Sequence, residues 1–385
     1  MDEINRRAMS VPINKLADEI KEANMRKREL LALRDAKFGA DRPKIGSYME
    51  NLTLPDLFGF HMRDYYMDPE LAMEIDLRHK LFWLDNSQDD GLQSLDVQAG
   101  SMYYDTTLFG LKINYQRDGV PVFERHALED DPDISVLKPF DFNLTGEMPM
   151  VHNRRLEFQR ISNERYGGEV KVNFPKFHRG PLDIYIQLRG YENFISDTLE
   201  KPEYARRLLE YIVSERKRYN EQAARFIPAP AGEPESFVAD DWLNVPFISP
   251  GIFDSFIAPA YQRIQENEGT VTGFHTCGVY IPLLDTILRI LPKIKNLDVN
   301  GWTDFTELDA LVPRDMVFNI SFINTFILFG SPEEHREKFA GIKKLLSKRR
   351  IGLCASAIVK KIDSVDAAII SMNRFIGLMR ESLSS

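Results

Sequence analysis

The stretch "ESFVADDWLNVPFISPGIFDSFIAPAYQRIQENEGTVTGFHTCG", residues 235–278, holds a complete structural unit. "ESFVADDW" at 235–242 is an apolar run ending in acids, the pattern of a buried strand. "SPGIFDSFIAPAYQRIQEN" follows as a helix, with Ser249 as N-cap and Pro250 in its first turn. "TVTGFHTCG" is again a strand. Strand, helix and strand in this order form a βαβ unit, which implies a parallel sheet.

The same rhythm extends outward. "YIPLLDTILRIL" is a helix, "KNLDVNGW" a strand, "DFTELDALV" a short helix and "MVFNISF" a strand. "SPEEHREKFAGIKKLLSK" is a helix capped by Ser331 with Pro332 at its first position. "IGLCASAIV" is the last strand, and "DSVDAAIISMNRFIGLMRES" the last helix. Toward the N-terminus, "VKVNF" is a strand before long helical segments, the second opened by Pro202. "LQSLDVQAG" and "KIGSYME" are two further strands, separated by a helical stretch at 64–90 with Leu71, Ile75, Leu81 and Trp83 as core candidates. Strands therefore begin near 45, 92, 169, 235, 271, 296, 316 and 351. Eight alternating units predict an α/β fold, a (β/α)8 TIM-type barrel. An open doubly wound sheet is the alternative. Neither GxGxxG after the first strand nor GxxxxGK[ST] occurs, which argues against it. Residues 1–40 form an N-terminal helical extension, with 14–38 a polar helix, and 41–385 a single barrel domain. Residues 100–165 look like an irregular insertion, longer than a plain βα connection needs.

The 385 residues carry a net charge of −9, which disfavours a general nucleic-acid surface. The basic run "KKLLSKRR" at 343–350 suits a helix end near its dipole. No apolar run is long enough to span a bilayer and no secretory leader is visible, so a cytoplasmic protein is expected. Two cysteines do not make a disulfide framework.

A barrel of this type places its active site at the C-terminal strand ends. Glu50, Asp96, Phe174, Asp240, Asp241, Trp242, His275, Cys277, Asp298, Asn300, Ser321 and Cys354 lie there, so both cysteines are included. His275 and Cys277 stand two apart on a strand and face one side. With Cys354 from the last strand they make a borderline-soft N/S set suited to zinc, with a fourth position open. The plain alternative is that both cysteines are small core residues. Asp240 and Asp241 are candidate catalytic groups, of which only one can face the barrel axis, and Glu50 is a third. Tyr48, Phe174 and Trp242 are candidate substrate-binding aromatics, with strand core as the other reading. Asn300 joins the substrate-binding set, and Asp298 or Asn300 could place an oxygen near the metal. His61, His79, His126, His152, His178 and His335 form no spaced pair, and His335 falls on a surface helix.

"RELLALRDAKFGADRPKIGSYME", "GPLDIYIQLRGYENFISDTLEKPEYARRLLEYI", "VADDWLNVPFISPGIFDSFIAPAYQRI", "FHTCGVYIPLLDTI" and "FGSPEEHREKFAGIKKLL" together resemble the uroporphyrinogen decarboxylase superfamily. The resemblance covers most of the chain from about residue 26 and is best from 180 onward; 100–165 match weakly. It implies a (β/α)8 barrel. Metal-free decarboxylases of the superfamily carry an RQAGR-like segment after the first strand. Here that place reads "SYMENLTLPDLFGF", with no Arg before Arg63, so the chain departs from that branch. A second branch, the zinc-dependent corrinoid methyltransferases, carries His-x-Cys after one strand and a distant Cys on the last. His275, Cys277 and Cys354 match that pattern. The resemblance implies a bound zinc and methyl transfer from a small methylated substrate, with an aryl methyl ether the preferred donor, to the Co(I) of a corrinoid. No corrinoid-ligating DxHxxG occurs, so the corrinoid is expected on a separate partner protein. Transfer from a methylcorrinoid protein to a thiol, metal-free decarboxylation, and a barrel that only binds a partner are the alternatives.

Overall fold

The computed structural model describes residues 4–101, 103–124, 126–130, 132–137, 139–227, 236–300, 303–357 and 364–384. Its strands are β1 (Ile45–Met49), β2 (Asp96–Gln98), β3 (Ile113–Asn114), β4 (Val122–Phe123), β5 (Lys171–Asn173), β6 (Ser236–Ala239), β7 (Val271–His275), β8 (Asn296–Asn300), β9 (Val317–Phe322) and β10 (Ile351–Ala357). Every one of the eight expected strand positions carries a strand. Residues 358–359 of the last expected strand and 301–302 after β8 lie outside the described residues.

Six strands form one parallel sheet in the order β1-β10-β9-β8-β7-β6. β2 and β5 form a separate parallel pair, and β3–β4 a small antiparallel hairpin. The expected eight-stranded closure is thus met in part: among the described residues no ladder joins the β2–β5 pair to the sheet. One residue at each of the two edges is bonded to intervening chain instead. Asp90 N donates to Ile45 O at 2.7 Å, and Ile45 N to the Asp90 carboxylate at 3.0 Å. On the other edge, Gly180 N donates to Ala239 O and Ala239 N to His178 O at 3.0 Å.

Strand alternation gives the sheet two unlike faces. Phe318, Ile320 and Phe322 of β9 and Ile351, Leu353 and Ala355 of β10 are buried on one face. Helices Pro332–Leu346 and Val365–Ser384 contribute to its packing, with Phe322, Phe339 and Phe375 stacked edge to face. The other face carries Asp298, Asn319, Ser321, Gly352 and Cys354, all part-buried. Register aligns Asp298 with Asn319 and Gly352, and Asn300 with Ser321, Cys354 and Gly46. A polar row beside apolar neighbours is the signature of a face turned toward a site.

Helix starts follow the local chemistry. The Ser249 hydroxyl accepts from Ile252 N at 3.2 Å. Ser331 and Glu334 form a reciprocal capping box. Pro202 opens the helix Pro202–Ala223. Leu16–Phe38 is one helix and packs on Pro69–Asn86, whose Ile75, Leu81 and Trp83 are buried while Leu71 is only half-buried. His335 sits inside the molecule, not on its surface, with Nε2 2.8 Å from Phe326 O and its ring against Phe375.

One expectation is corrected. The region read as irregular contains a 19-residue helix, Met148–Tyr166. Met148, Val151, Arg154, Phe158, Ile161 and Tyr166 are buried along it, three to five residues apart. Its many Arg, Glu and Asn residues mask that stripe, and each buried Phe or Ile there is worth roughly 1.5–3 kcal/mol. It is also required by topology, because parallel strands β2 and β5 need a crossover.

Candidate functional site

β6 ends at Ala239, and the chain turns through Asp240, Asp241 and Trp242. β7 ends at His275, and Cys277 lies in the turn after it. These two turns are tied together. Thr276 Oγ1 donates to Leu243 O at 2.8 Å, Val279 N to Asn244 Oδ1 at 2.8 Å, and Val245 N to Val279 O at 2.8 Å. A Cβ on Gly278 would collide with Leu243 O and Asn244, so only glycine allows this approach.

The result is a compact donor set. His275 Nε2 lies 3.2 Å from Asp241 Oδ1 and 3.5 Å from Cys277 Sγ. Cys277 Sγ lies 3.4 Å from the same Asp241 oxygen. One ligand atom from each of the three falls within 4.8 Å of the others. On the far side of the ring, His275 Nδ1 lies 3.2 Å from Asp298 Oδ2. Burial opposes the His275 charge, but hydrogen bonds to Asp241, Asp298 and Cys277 outweigh it and push the imidazole up to about 12. The Asp241 carboxyl is held below its usual range, first by the His275 hydrogen bond and further by Arg179.

An imidazole nitrogen, a thiol and a carboxylate at this spacing fit a tetrahedral zinc site with a place left open. Cys277 is exposed, so that place is reachable. Cys354 is not part of the three-residue group. It lines a cavity of about 300 Å³ with Asp298, Asn319, Ser321 and Gly352. Burial, with the charges of Asp89 and Asp298, pushes its thiol up to about 11.

The other expected residues take distinct places. Asp240 is fully buried, and its carboxylate accepts from Asp183 N and the Tyr261 hydroxyl, both at 2.7 Å. It therefore points into the start of helix Pro181–Arg189, and burial raises its carboxyl to about 7. Asp241 is the member of the pair beside His275. Asn300 is buried; its amide donates to Cys277 O at 3.3 Å and Gly278 O at 3.2 Å, holding the turn that carries the thiol. Trp242 is half-exposed against Tyr191, which also meets Phe247. Tyr48 is exposed near the end of β1, and Glu50 follows half-buried, its carboxyl raised by burial.

Phe174 lies elsewhere, stacked between Phe142 and Phe226 at 5.4 and 5.3 Å. It borders the larger cavity, about 1210 Å³, with Arg155, Lys171 and Lys176. That space holds none of the donor set, and Lys171 and Lys176 are ordinary exposed lysines. The smaller cavity does not include Asp241, His275 or Cys277 in its lining either, but its Asp298 is hydrogen-bonded to His275.

Sequence reasoning passed over Asp183 and Arg179. Asp183 Oδ1 accepts from Trp242 N at 3.1 Å, and Arg179 spans Asp105 and Asp183. The signal was the acid in "GPLD" within the first turn of a helix, although its carboxylate serves Trp242 N while the helix-start N–H of Asp183 goes to Asp240.

The uroporphyrinogen decarboxylase (URO-D) family model matches residues 45–350. Among solved structures, the chain is similar to a methyltransferase from Methanosarcina mazei, with a TM-score of 0.60 at 16% identity, over 89% of this chain and 94% of that one. At that identity the likeness speaks for a shared fold. No curated protein is close enough in sequence to count as a match. Among the described residues no helix is long and apolar enough to cross a membrane.

Proposed function

The chain belongs to the uroporphyrinogen decarboxylase family, and within it we propose that it is a zinc-dependent methyltransferase. The observation that carries the proposal is the convergence of Asp241, His275 and Cys277. Cys354 on the last strand, which lines a cavity with Asp298, would be the further thiol. A metal-free decarboxylase has no use for such a donor set. The β2–β5 pair, with the chain before β2 bonded to Ile45 and the chain after β5 bonded to Ala239, is read as completing the eight-stranded barrel.

His275, Cys277 and Cys354 would hold the zinc, with Asp241 as the oxygen donor in place before substrate arrives. Bound zinc would act as a Lewis acid on the heteroatom that carries or receives the methyl group. The chain's own residues prepare this. Asn300 fixes the Cys277 carbonyl, the Asp183 carboxylate holds the Trp242 N–H, the Asp240 carboxylate holds the Asp183 N–H, and Trp242 offers an aromatic face at the rim. That face favours an aryl methyl ether as donor. The acceptor would be the Co(I) corrinoid of a separate protein, docking on the open strand-end side.

The test is the zinc content of purified protein, wild type beside Cys354→Ala, followed by methyl transfer to Co(I) cobalamin. About one zinc per wild-type chain, reduced in the variant, and methylcobalamin formed from an aryl methyl ether is the expected result. Transfer only from methylcobalamin to a thiol would reverse the direction. A well-folded wild type without zinc would overturn the proposal.

A further inference from the structure

The two nitrogens of His275 face different worlds. Nε2 looks toward Asp241 and Cys277, the exposed donors. Nδ1 looks inward, 3.2 Å from Asp298 Oδ2. The second oxygen of that carboxylate, Oδ1, accepts from Asn319 Nδ2 at 3.1 Å. Asn319 stands beside Asp298 in the β8–β9 register, and Gly352 beside Asn319 in the β9–β10 register. A Cβ on Gly352 would sit 2.7 Å from Asn319 Oδ1, so the strand beyond is kept bare for that amide. The Asp298 backbone is fixed as well, its carbonyl accepting from the Tyr280 hydroxyl at 3.2 Å.

We infer that Asp298 is a positioning residue and not a metal ligand: Asn319 orients Asp298, and Asp298 orients His275 so that Nε2 is the nitrogen presented to the ion. The inference rests on the zinc reading above and deepens it. The geometry decides between the two roles. The lone pairs of the two ring nitrogens point away from each other, so an oxygen hydrogen-bonded at Nδ1 lies across the ring from an ion bound at Nε2. It cannot share that ion without the ring turning over. An acceptor at Nδ1 keeps the proton there and leaves the Nε2 lone pair free, the arrangement that raises a ligating imidazole's basicity. Asn319 supplies what a lone carboxylate on a half-open face lacks, a donor that stops it from swinging toward the ion. Three strands thus contribute one residue each to the aim of a fourth strand's histidine.

The experiment uses full-length protein with ¹⁵N-labelled histidine. Wild type, Asp298→Asn, Asp298→Leu and Asn319→Leu are compared for zinc affinity by chelator competition. Long-range ¹H–¹⁵N spectra report the state of His275, and thermal melts check folding. Asp298→Asn retains an acceptor, whereas Asp298→Leu has none. Affinity is expected to fall in the order wild type, Asn, Leu, with about 10- to 100-fold lost in the Leu variant. In the zinc-loaded wild type, His275 should keep a proton on Nδ1 and coordinate through Nε2. Coordination through Nδ1, or unchanged affinity in a folded Asp298→Leu protein, overturns the inference. A cobalt(II)-loaded Asp298→Leu protein should retain the wild-type ligand-field spectrum, and a changed coordination number would make Asp298 a ligand after all. If wild type binds no zinc, the methyltransferase reading fails on its own. The relay is then judged in metal-free protein by the Nδ1 proton resonance, which should be hydrogen-bonded in wild type and lost in Asp298→Leu; the same resonance in both proteins overturns it.

Discussion

The carboxylates of Asp240 and Asp241 turn to opposite sides of one strand end. Asp240 Oδ2 takes the Tyr261 hydroxyl at 2.7 Å inside the molecule, while Asp241 Oδ1 stands 3.2 Å from His275 Nε2 at the rim. Adjacent residues alternate in direction, and that alternation separates a structural acid from a metal-facing one. Asp241→Ala should therefore weaken zinc retention by at least about tenfold, and Asp240→Asn should leave it near wild type. Zinc remaining after graded chelator dialysis checks both.

Asp240 has a further signature in pH. Its folded carboxyl holds a proton up to about 7, while the unfolded carboxyl releases it near the usual value of about 3.9. Between those values the unfolded chain binds fewer protons, so stability falls as pH rises from about 4 to 7. Asp183, raised by burial and by Asp240 and Asp241, adds to the same trend. At about 1.4 kcal/mol per unit the ceiling is on the order of 4 kcal/mol. Urea unfolding of wild type and Asp240→Asn across this range should show a shallower decline in the variant.

The two cysteines should differ in reactivity. Cys277 is exposed, while Cys354 is part-buried with its thiol raised to about 11. A thiol-reactive disulfide at pH 8 should label Cys277 quickly and Cys354 slowly in metal-free protein, because the thiolate is the reacting form. Zinc should protect Cys277. Equal rates for the two single-cysteine variants would count against the arrangement.

The turn after β7 has no room to spare. Gly278→Ala forces the Thr276–Val279 segment away from Leu243 and Asn244. A loss of about 1–3 kcal/mol is expected from the overpacking, together with weakened zinc binding as Cys277 moves. Calorimetry and metal analysis of the same preparation would show the two effects together.

Trp242 is half-exposed, so Trp242→Ala should leave the melting temperature within a degree or two of wild type. If it forms a wall for the methyl donor, KM should rise several-fold with kcat little changed. An unchanged KM would remove Trp242 from the substrate site.

The sequence made the eight strand positions and the His-x-Cys turn legible, because apolar runs bounded by Gly, Pro and acids are local signals. The caps at Ser249 and Ser331 were legible for the same reason. Other features depend on partners far along the chain. Asp298 meets His275 across 23 residues, and Asp183 meets Trp242 across 59. No local pattern announces such pairs. Asn300 stands at a strand end as expected, but its amide serves the backbone of the neighbouring turn. Helix Met148–Tyr166 was hidden by its polar majority.

The bonds that intervening chain makes to Ile45 and Ala239 bear on how the protein behaves in crowded solution. β1 and β6 end the six-stranded sheet, and a bare end strand is a template on which another molecule can add a strand and start a fibre. Asp90 occupies both the N–H and the carbonyl of Ile45, and the 178–180 segment does the same for Ala239. Intervening chain therefore occupies one position of each end strand where no ladder does, and an added strand would have to displace it there.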